Sequence, residues 1–153
     1  MYTISKAILK HESEIVLELM EQFITEMADK KSKMKTLRLG KILQDIIEHQ
    51  DTFVSYLAKT KDNEPVGVVN MMESVSVYAN GRYGIISEIY VKPKYRKDGI
   101  GRMLIEKAIE HGKKKDWNRI EITAPLGDHA IKSVIFYENM GFTHSGPRLK
   151  LIL

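Results

Sequence analysis

The chain has 153 residues, 43% hydrophobic and 29% charged, with a formal net charge of +4 and no cysteine. That length suits a single domain, residues 1–153, able to bury its own core without metals or disulfides. No stretch approaches the roughly 18 to 20 apolar residues needed to cross a bilayer, the opening MYTISKAILKHESE lacks a secretory leader, and thiolate nucleophiles and cysteine-based zinc sites are excluded, so a cytoplasmic protein without a membrane partner is expected.

Residues 2 to 9 read as a short strand. From Ser13 to Asp29, Ile15, Val16, Leu19, Met20, Phe23, Ile24 and Met27 recur at helical spacing and predict an amphipathic helix. DKKSKMK interrupts the pattern, and Leu39, Ile42, Leu43, Ile46 and Ile47 resume it in a second helix that ends near His49. TFVSYLAKT (52–60) is rich in β-formers, KDNEP is a turn signal, and VGVVNMMESVSVY (66–78) reads as a long strand. Asn80-Gly81 accepts the positive φ angles of a tight hairpin and leads into YGIISEIYV (83–91). After KPKYRKD, Ile100, Met103, Leu104, Ala108 and Ile109 predict a helix with Gly112 as its stop. RIEITAP (119–125) is a strand that a right-handed crossover should set parallel to 83–91. A last helix, 128 to 140, ends at Gly141, and FTHSGPRLKLIL closes the chain as a strand pair broken at Gly146-Pro147. The expected fold is α/β (α+β): a mixed, mostly antiparallel sheet of six to seven strands with helices on both faces.

The segment RKDGIG stands where a strand gives way to a helix. Gly99 and Gly101 leave the backbone open to close approach, and free N–H groups at a helix N-terminus favour an anion, commonly a phosphate. Arg96, Lys97 and Arg102 add positive charge, although an ordinary strand-to-helix turn needs the same glycines. Neither G-x-G-x-x-G nor G-x-x-x-x-G-K-[ST] is present, which argues against a dinucleotide fold and a P-loop.

IYVKPKYRKDGIG followed by SVIFYENMGF resembles the GNAT superfamily of acetyl-CoA-dependent N-acetyltransferases, in its strand with [QR]-x-x-G-x-[GA] loop and its tyrosine-bearing helix before Gly-Phe. The resemblance implies a splayed parallel strand pair, with the backbone of Ile89, Tyr90 and Val91 pairing with the pantetheine arm. It also implies that Arg96, Lys97, Asp98, Gly99, Ile100, Gly101 and Arg102 hold the pyrophosphate of acetyl-CoA, the co-substrate. Ala130, after Asp128 and His129, replaces an asparagine found in many members, while the small residue four before the tyrosine is kept as Ser133.

Acetyl transfer to an amine needs a neutral nitrogen, a polarised thioester carbonyl and a proton for the leaving thiolate. Glu88 is the candidate general base, directly or through water, or else an electrostatic anchor for a cationic amine. A solvent-facing strand glutamate is the plainer alternative. Tyr137 matches the family's general acid and a cofactor contact, against the alternative of a packed, hydrogen-bonded core tyrosine. A backbone N–H near Tyr90 or Val91 would polarise the carbonyl. Glu73, Tyr78 and Glu88 are the candidate acceptor-site residues, suited to a cationic primary amine of a small molecule or peptide. Histidines 11, 49, 111, 129 and 144 show no spacing of a helical metal site, so no metal is expected. A non-catalytic acyl-CoA-binding sensor is the competing reading. Nucleic acid is not expected as a partner, because Tyr83, Tyr90 and Tyr95 interleave with cations but spread over different surfaces. An exposed strand edge or RLKLIL could serve a homodimer.

Overall fold

The computed structural model describes residues 1–27, 38–124 and 130–152. They gather into two compact units, Met1–Glu121 and Ile122–Leu153. The predicted DKKSKMK interruption, Asp128 and His129 lie outside the described residues.

One sheet holds β1 (Tyr2–Lys6), β2 (Phe53–Thr60), β3 (Pro65–Ser76), β4 (Gly81–Val91) and β5 (Ile120–Ile122), in that spatial order. The pairs β1–β2, β2–β3 and β3–β4 are antiparallel. At β5, Asn118 N–H donates to Arg82 O at 2.9 Å and Gly84 N–H to Arg119 O at 3.0 Å, so the beginnings of β4 and β5 meet and the two run the same way. Eleven residues beside three leave the end of β4, from Glu88 to Val91, running beyond its parallel neighbour.

Helix α1 (Leu9–Met27) starts four residues earlier than its apolar stripe predicts, because the Glu12 carboxylate accepts the Ile8 N–H at 2.8 Å and closes the first turn. Lys59 Nζ donates to the same carboxylate at 2.6 Å. Val16, Leu19 and Met20 bury against Leu57, Val68 and Tyr90 on one face of the sheet, and Ile46 of α2 (Leu39–Glu48) packs against the same cluster. Each fully buried aliphatic side chain there contributes about 1.5–3 kcal/mol relative to exposure. Helix α3 (Ile100–Lys114) covers the other face. Gly67 permits that approach, since a Cβ there would stand 3.3 Å from Leu104 Cδ1.

Five strands are observed among the described residues, where six to seven were expected. The missing pair is the C-terminal one: residues 142–152 form no strand. Gly146 turns at φ 120°, Pro147 has no N–H to donate, and Leu149, Leu151 and Ile152 stand in solvent at 91%, 84% and 71% exposure. The hairpin forms as predicted, with Asn80 at φ 58° and Gly81 at φ 118°. In the second unit, helix α4 (Ala130–Asn139) ends in a Schellman turn. Gly141 is left-handed at φ 93°, its N–H reaches Glu138 O at 2.9 Å, and Phe142 N–H reaches Tyr137 O at 3.0 Å.

Candidate active site

After Val91 the chain makes one 3-10 turn, Pro93–Tyr95, and then passes through two left-handed residues, Lys97 at φ 75° and Gly99 at φ 81°. The first helical bond of α3 is Met103 N–H to Gly99 O, 3.1 Å. Among the described residues, the six N–H groups from Lys97 to Arg102 have no acceptor. Six unpartnered donors at a helix N-terminus, with the helix dipole behind them, favour an anion. A Cβ at Gly99 would meet nothing within 4 Å, so the loop is open at that residue.

Struts from several elements hold this loop. Arg96 donates two parallel bonds to Glu26 of α1, 2.7 and 2.6 Å, and a third from Nε to Val91 O at 2.9 Å. Tyr2 of β1 donates to Asp98 Oδ2 at 2.6 Å, and Tyr95 donates to Glu64 Oε2 at 2.7 Å. Arg96 is therefore occupied as a strut, which corrects the expectation of three cations free for an anion: Lys97 and Arg102 alone of the three lack an ion-pair partner among the described residues. The Arg96 bonds hold the Glu26 carboxyl below the usual carboxylate range.

Glu88 owes its position to an irregularity. Asn70 pairs with Glu88 but Met71 pairs with Ile86, so Ser87 is a bulge residue. Counting from the hairpin, strict alternation would turn Glu88 toward α3. The surplus residue turns it to the α1 and α2 face instead, in register with buried Asn70, whose Nδ2 donates to Glu88 Oε2 at 3.1 Å. Ser87, which strict alternation would set on the face opposite Glu88, donates to the same oxygen at 2.8 Å, while Ile89 lies on that opposite face, paired with Val69. Buried Ser55 donates to Asn70 Oδ1 at 2.7 Å and completes the chain of bonds.

The other expected acceptor-site residues are not brought to Glu88. Glu73 lies on the α3 face and accepts from Trp117 Nε1 at 2.6 Å. It shares that face with His111, whose pKa is lowered by burial first and then by Lys6 and Lys115. Tyr78 sits in the hairpin turn, 83% exposed, under the guanidinium of Arg119. Six residue pairs separate that turn from Glu88, about 20 Å at strand rise. Ile89, Tyr90 and Val91 lie together on the part of β4 that outruns β5, with the Tyr90 side chain buried under α1. Burial raises the Tyr90 hydroxyl above its usual range.

In the second unit Tyr137 is half-buried, and burial raises its hydroxyl above its ordinary pKa. The Y-x-x-x-G-F pattern has a local cause: Phe142, folded back by the Schellman turn, lays its ring 6.0 Å from that of Tyr137, which Phe136 flanks on another side at 5.4 Å. Ser133 lies on the same helix, half-buried, and Ala130 is buried at its start.

Sequence reasoning missed Tyr2, Glu26, Ser55 and Asn70. Only Asn70 left a visible signal, as the one polar side chain in the apolar run VGVVNMM.

A sequence profile described as the acetyltransferase (GNAT) family matches residues 16–142. No curated protein matches the sequence. Among solved structures, a predicted acetyltransferase of Clostridium acetobutylicum with acetyl-CoA superposes with a TM-score of 0.76 at 19% identity, covering 99% of this chain and 96% of that one. Ribosomal-protein-alanine N-acetyltransferase of Brucella melitensis biovar Abortus 2308 gives 0.77 at 15% identity, over 100% of both chains. Glucosamine-6-phosphate N-acetyltransferase of Arabidopsis thaliana gives 0.74 at 15% identity, over 99% and 98%. With the profile spanning most of its length, the chain belongs to the acetyltransferase (GNAT) family.

Proposed function

We propose that the protein transfers the acetyl group of acetyl-CoA directly to a primary amine. The observation that carries this reading is the run of six unpartnered N–H groups from Lys97 to Arg102 at the start of α3, with open space beside Gly99. Such a cradle suits the pyrophosphate of coenzyme A, and Lys97 and Arg102 add unpaired positive charge. The end of β4 that outruns β5 leaves backbone at Ile89 to Val91 for the pantetheine arm, as in the family.

The amine nitrogen attacks the thioester carbonyl carbon, the C–N bond forms, and the C–S bond breaks. Glu88 takes the proton the nitrogen sheds, using the carboxylate oxygen that Asn70 and Ser87 do not hold. Tyr137, a phenol protonated at neutral pH, gives a proton to the departing thiolate, the role the family resemblance implies for it. A backbone N–H near Tyr90 or Val91 stabilises the carbonyl oxygen as it gains charge. Because Glu73 and Tyr78 stand away from Glu88, the acceptor is recognised around Glu88, where Met72 of β3 exposes 40% of its surface on the same face. A single carboxylate beside an apolar methionine suits one cationic amine on a partly apolar stem.

Thiol release from acetyl-CoA across polyamines, aminoglycosides, amino acids and short peptides tests this, with calorimetric binding of acetyl-CoA on the same sample. Binding with turnover on one amine class is the expected result. Binding with no turnover on any amine would favour an acyl-CoA sensor instead, and absence of binding would refute the reading of residues 96–102.

A further inference from the structure

We propose that Asn70 is a positioning residue for Glu88, oriented in turn by Ser55, so that one carboxylate oxygen is held and the other is left to accept a proton. The inference rests on the reading of Glu88 as general base and adds residues to it.

Asn70 is 2% exposed and Ser55 fully buried, flanked along their strands by Val69 and Met71 and by Val54 and Tyr56. A buried amide at such a place is retained only where its hydrogen bonds are met. Here both ends are met, and in one direction. An ionised carboxylate can only accept, so Asn70 must turn its NH₂ to Glu88 Oε2, 3.1 Å away. That leaves Oδ1 on the far side, where the Ser55 hydroxyl donates to it at 2.7 Å. Ser87 supplies the second donor to Oε2 at 2.8 Å, a bond available because the bulge brings its side chain to the Glu88 side. Glu88 Oε1 has no partner among the described residues. The relay runs from the sheet interior to a half-buried carboxylate, and it fixes which oxygen is free.

A double-mutant cycle tests the proposal: Asn70→Leu, Glu88→Gln and the pair, assayed by thiol release from acetyl-CoA with the amine of the panel above that gives the fastest rate, and by calorimetric acetyl-CoA binding. Asn70→Leu should lower kcat about tenfold and Glu88→Gln about 100-fold, with acetyl-CoA affinity within about twofold of the unsubstituted chain. In the Glu88→Gln background, Asn70→Leu should cost no more than about twofold further. An equal loss of kcat in both backgrounds would overturn the positioning role while leaving Glu88 as base. An unchanged kcat in Glu88→Gln would overturn the base assignment and the inference with it. Ser55→Ala, which removes one hydroxyl, enters the same cycle if Asn70→Leu does not fold. It should lower kcat a few-fold in the native background and not in Glu88→Gln, with the unfolding midpoint recorded alongside, and full kcat in Ser55→Ala would count against the relay.

Discussion

Gly99→Asp separates the folding role of the α3 entry from the anion-binding role proposed for it. Since a Cβ at this position meets nothing within 4 Å, the fold loses only what a non-glycine residue loses at φ 81°, about 1–2 kcal/mol. For a chain of this size that lowers the unfolding midpoint by about 2–8 °C. Binding suffers more. A carboxylate about 5 Å from a diphosphate carrying roughly two charges is repelled by about 1.7 kcal/mol at the dielectric of water and by about 6.6 kcal/mol at an effective constant near 20. The lower figure already weakens binding about 17-fold. Gly99→Ala serves as control: it has the same backbone strain, a similar midpoint, and a smaller loss of affinity with little dependence on salt. Calorimetric titration with acetyl-CoA at two ionic strengths, beside thermal unfolding, reads both effects, and the Asp variant should recover part of its affinity as salt rises. Unchanged acetyl-CoA affinity in a folded Gly99→Asp protein would refute the assignment of the Lys97–Arg102 amides to the pyrophosphate.

Gly84→Ala should be far more damaging to the fold than Gly99→Ala, because its Cβ would fall 2.1 Å from Trp117 Cζ3 and 2.3 Å from Cε3 while the indole is tied to Glu73. Overpacking costs about 1–3 kcal/mol and loss of a bond to a charged group about 1.5–3 kcal/mol. The chain has one tryptophan, so urea unfolding followed by its fluorescence reports on the affected ring, and an unaltered midpoint and emission would contradict the packing described. Tyr137→Phe keeps the ring contact with Phe142 and removes only the hydroxyl; kcat should fall about 100-fold with acetyl-CoA affinity within about twofold, and undiminished kcat would take Tyr137 out of the acid role. Acid sensitivity follows from Glu12, held low by Lys59 and the Ile8 N–H, and from Glu26, held low by Arg96. Both pKa values are depressed in the folded chain, so their stabilisation is complete above the ordinary glutamate range near 4.5 and is lost as pH falls through the lowered folded values. Unfolding midpoints from pH 6 down to pH 3 should fall most in the last unit, and substituting both residues with glutamine should flatten that slope.

Periodicity carried the fold as far as local signals reach. The stripes of α1, α2 and α3 repeat apolar residues at helical spacing, and Asn80-Gly81 announces its own dihedrals, so these elements were legible within a few residues. The start of α1 was not, since it depends on a cap from Glu12 rather than on hydrophobic pattern. The C-terminal strands failed for a related reason: RLKLIL has a strand's alternation, but alternation supplies no partner, and Gly146-Pro147 breaks the approach. In the site, RKDGIG was readable because glycine and a helix start act locally. The occupation of Arg96 by Glu26, seventy positions away, has no local trace. Nor does the bulge at Ser87, which moves Glu88 across the sheet and parts it from Glu73.

That surplus residue also governs where the chain can change length. Before it, β4 serves the tryptophan side, with Gly84 as the seat of the indole; after it, the strand turns its carboxylate the other way. Lengthening or shortening the turn between Ser76 and Gly81 alters neither half, because the ladder behind it sets their pairing. Removing Ser87 would turn the bulge into a regular ladder, with Glu88 still opposite Asn70 and Tyr90 still under α1, at the loss of the Ser87 hydroxyl's bond to the carboxylate. Loop grafting should therefore be tolerated at the hairpin tip, and deletion of Ser87 should leave the sheet and the facing of Glu88 intact.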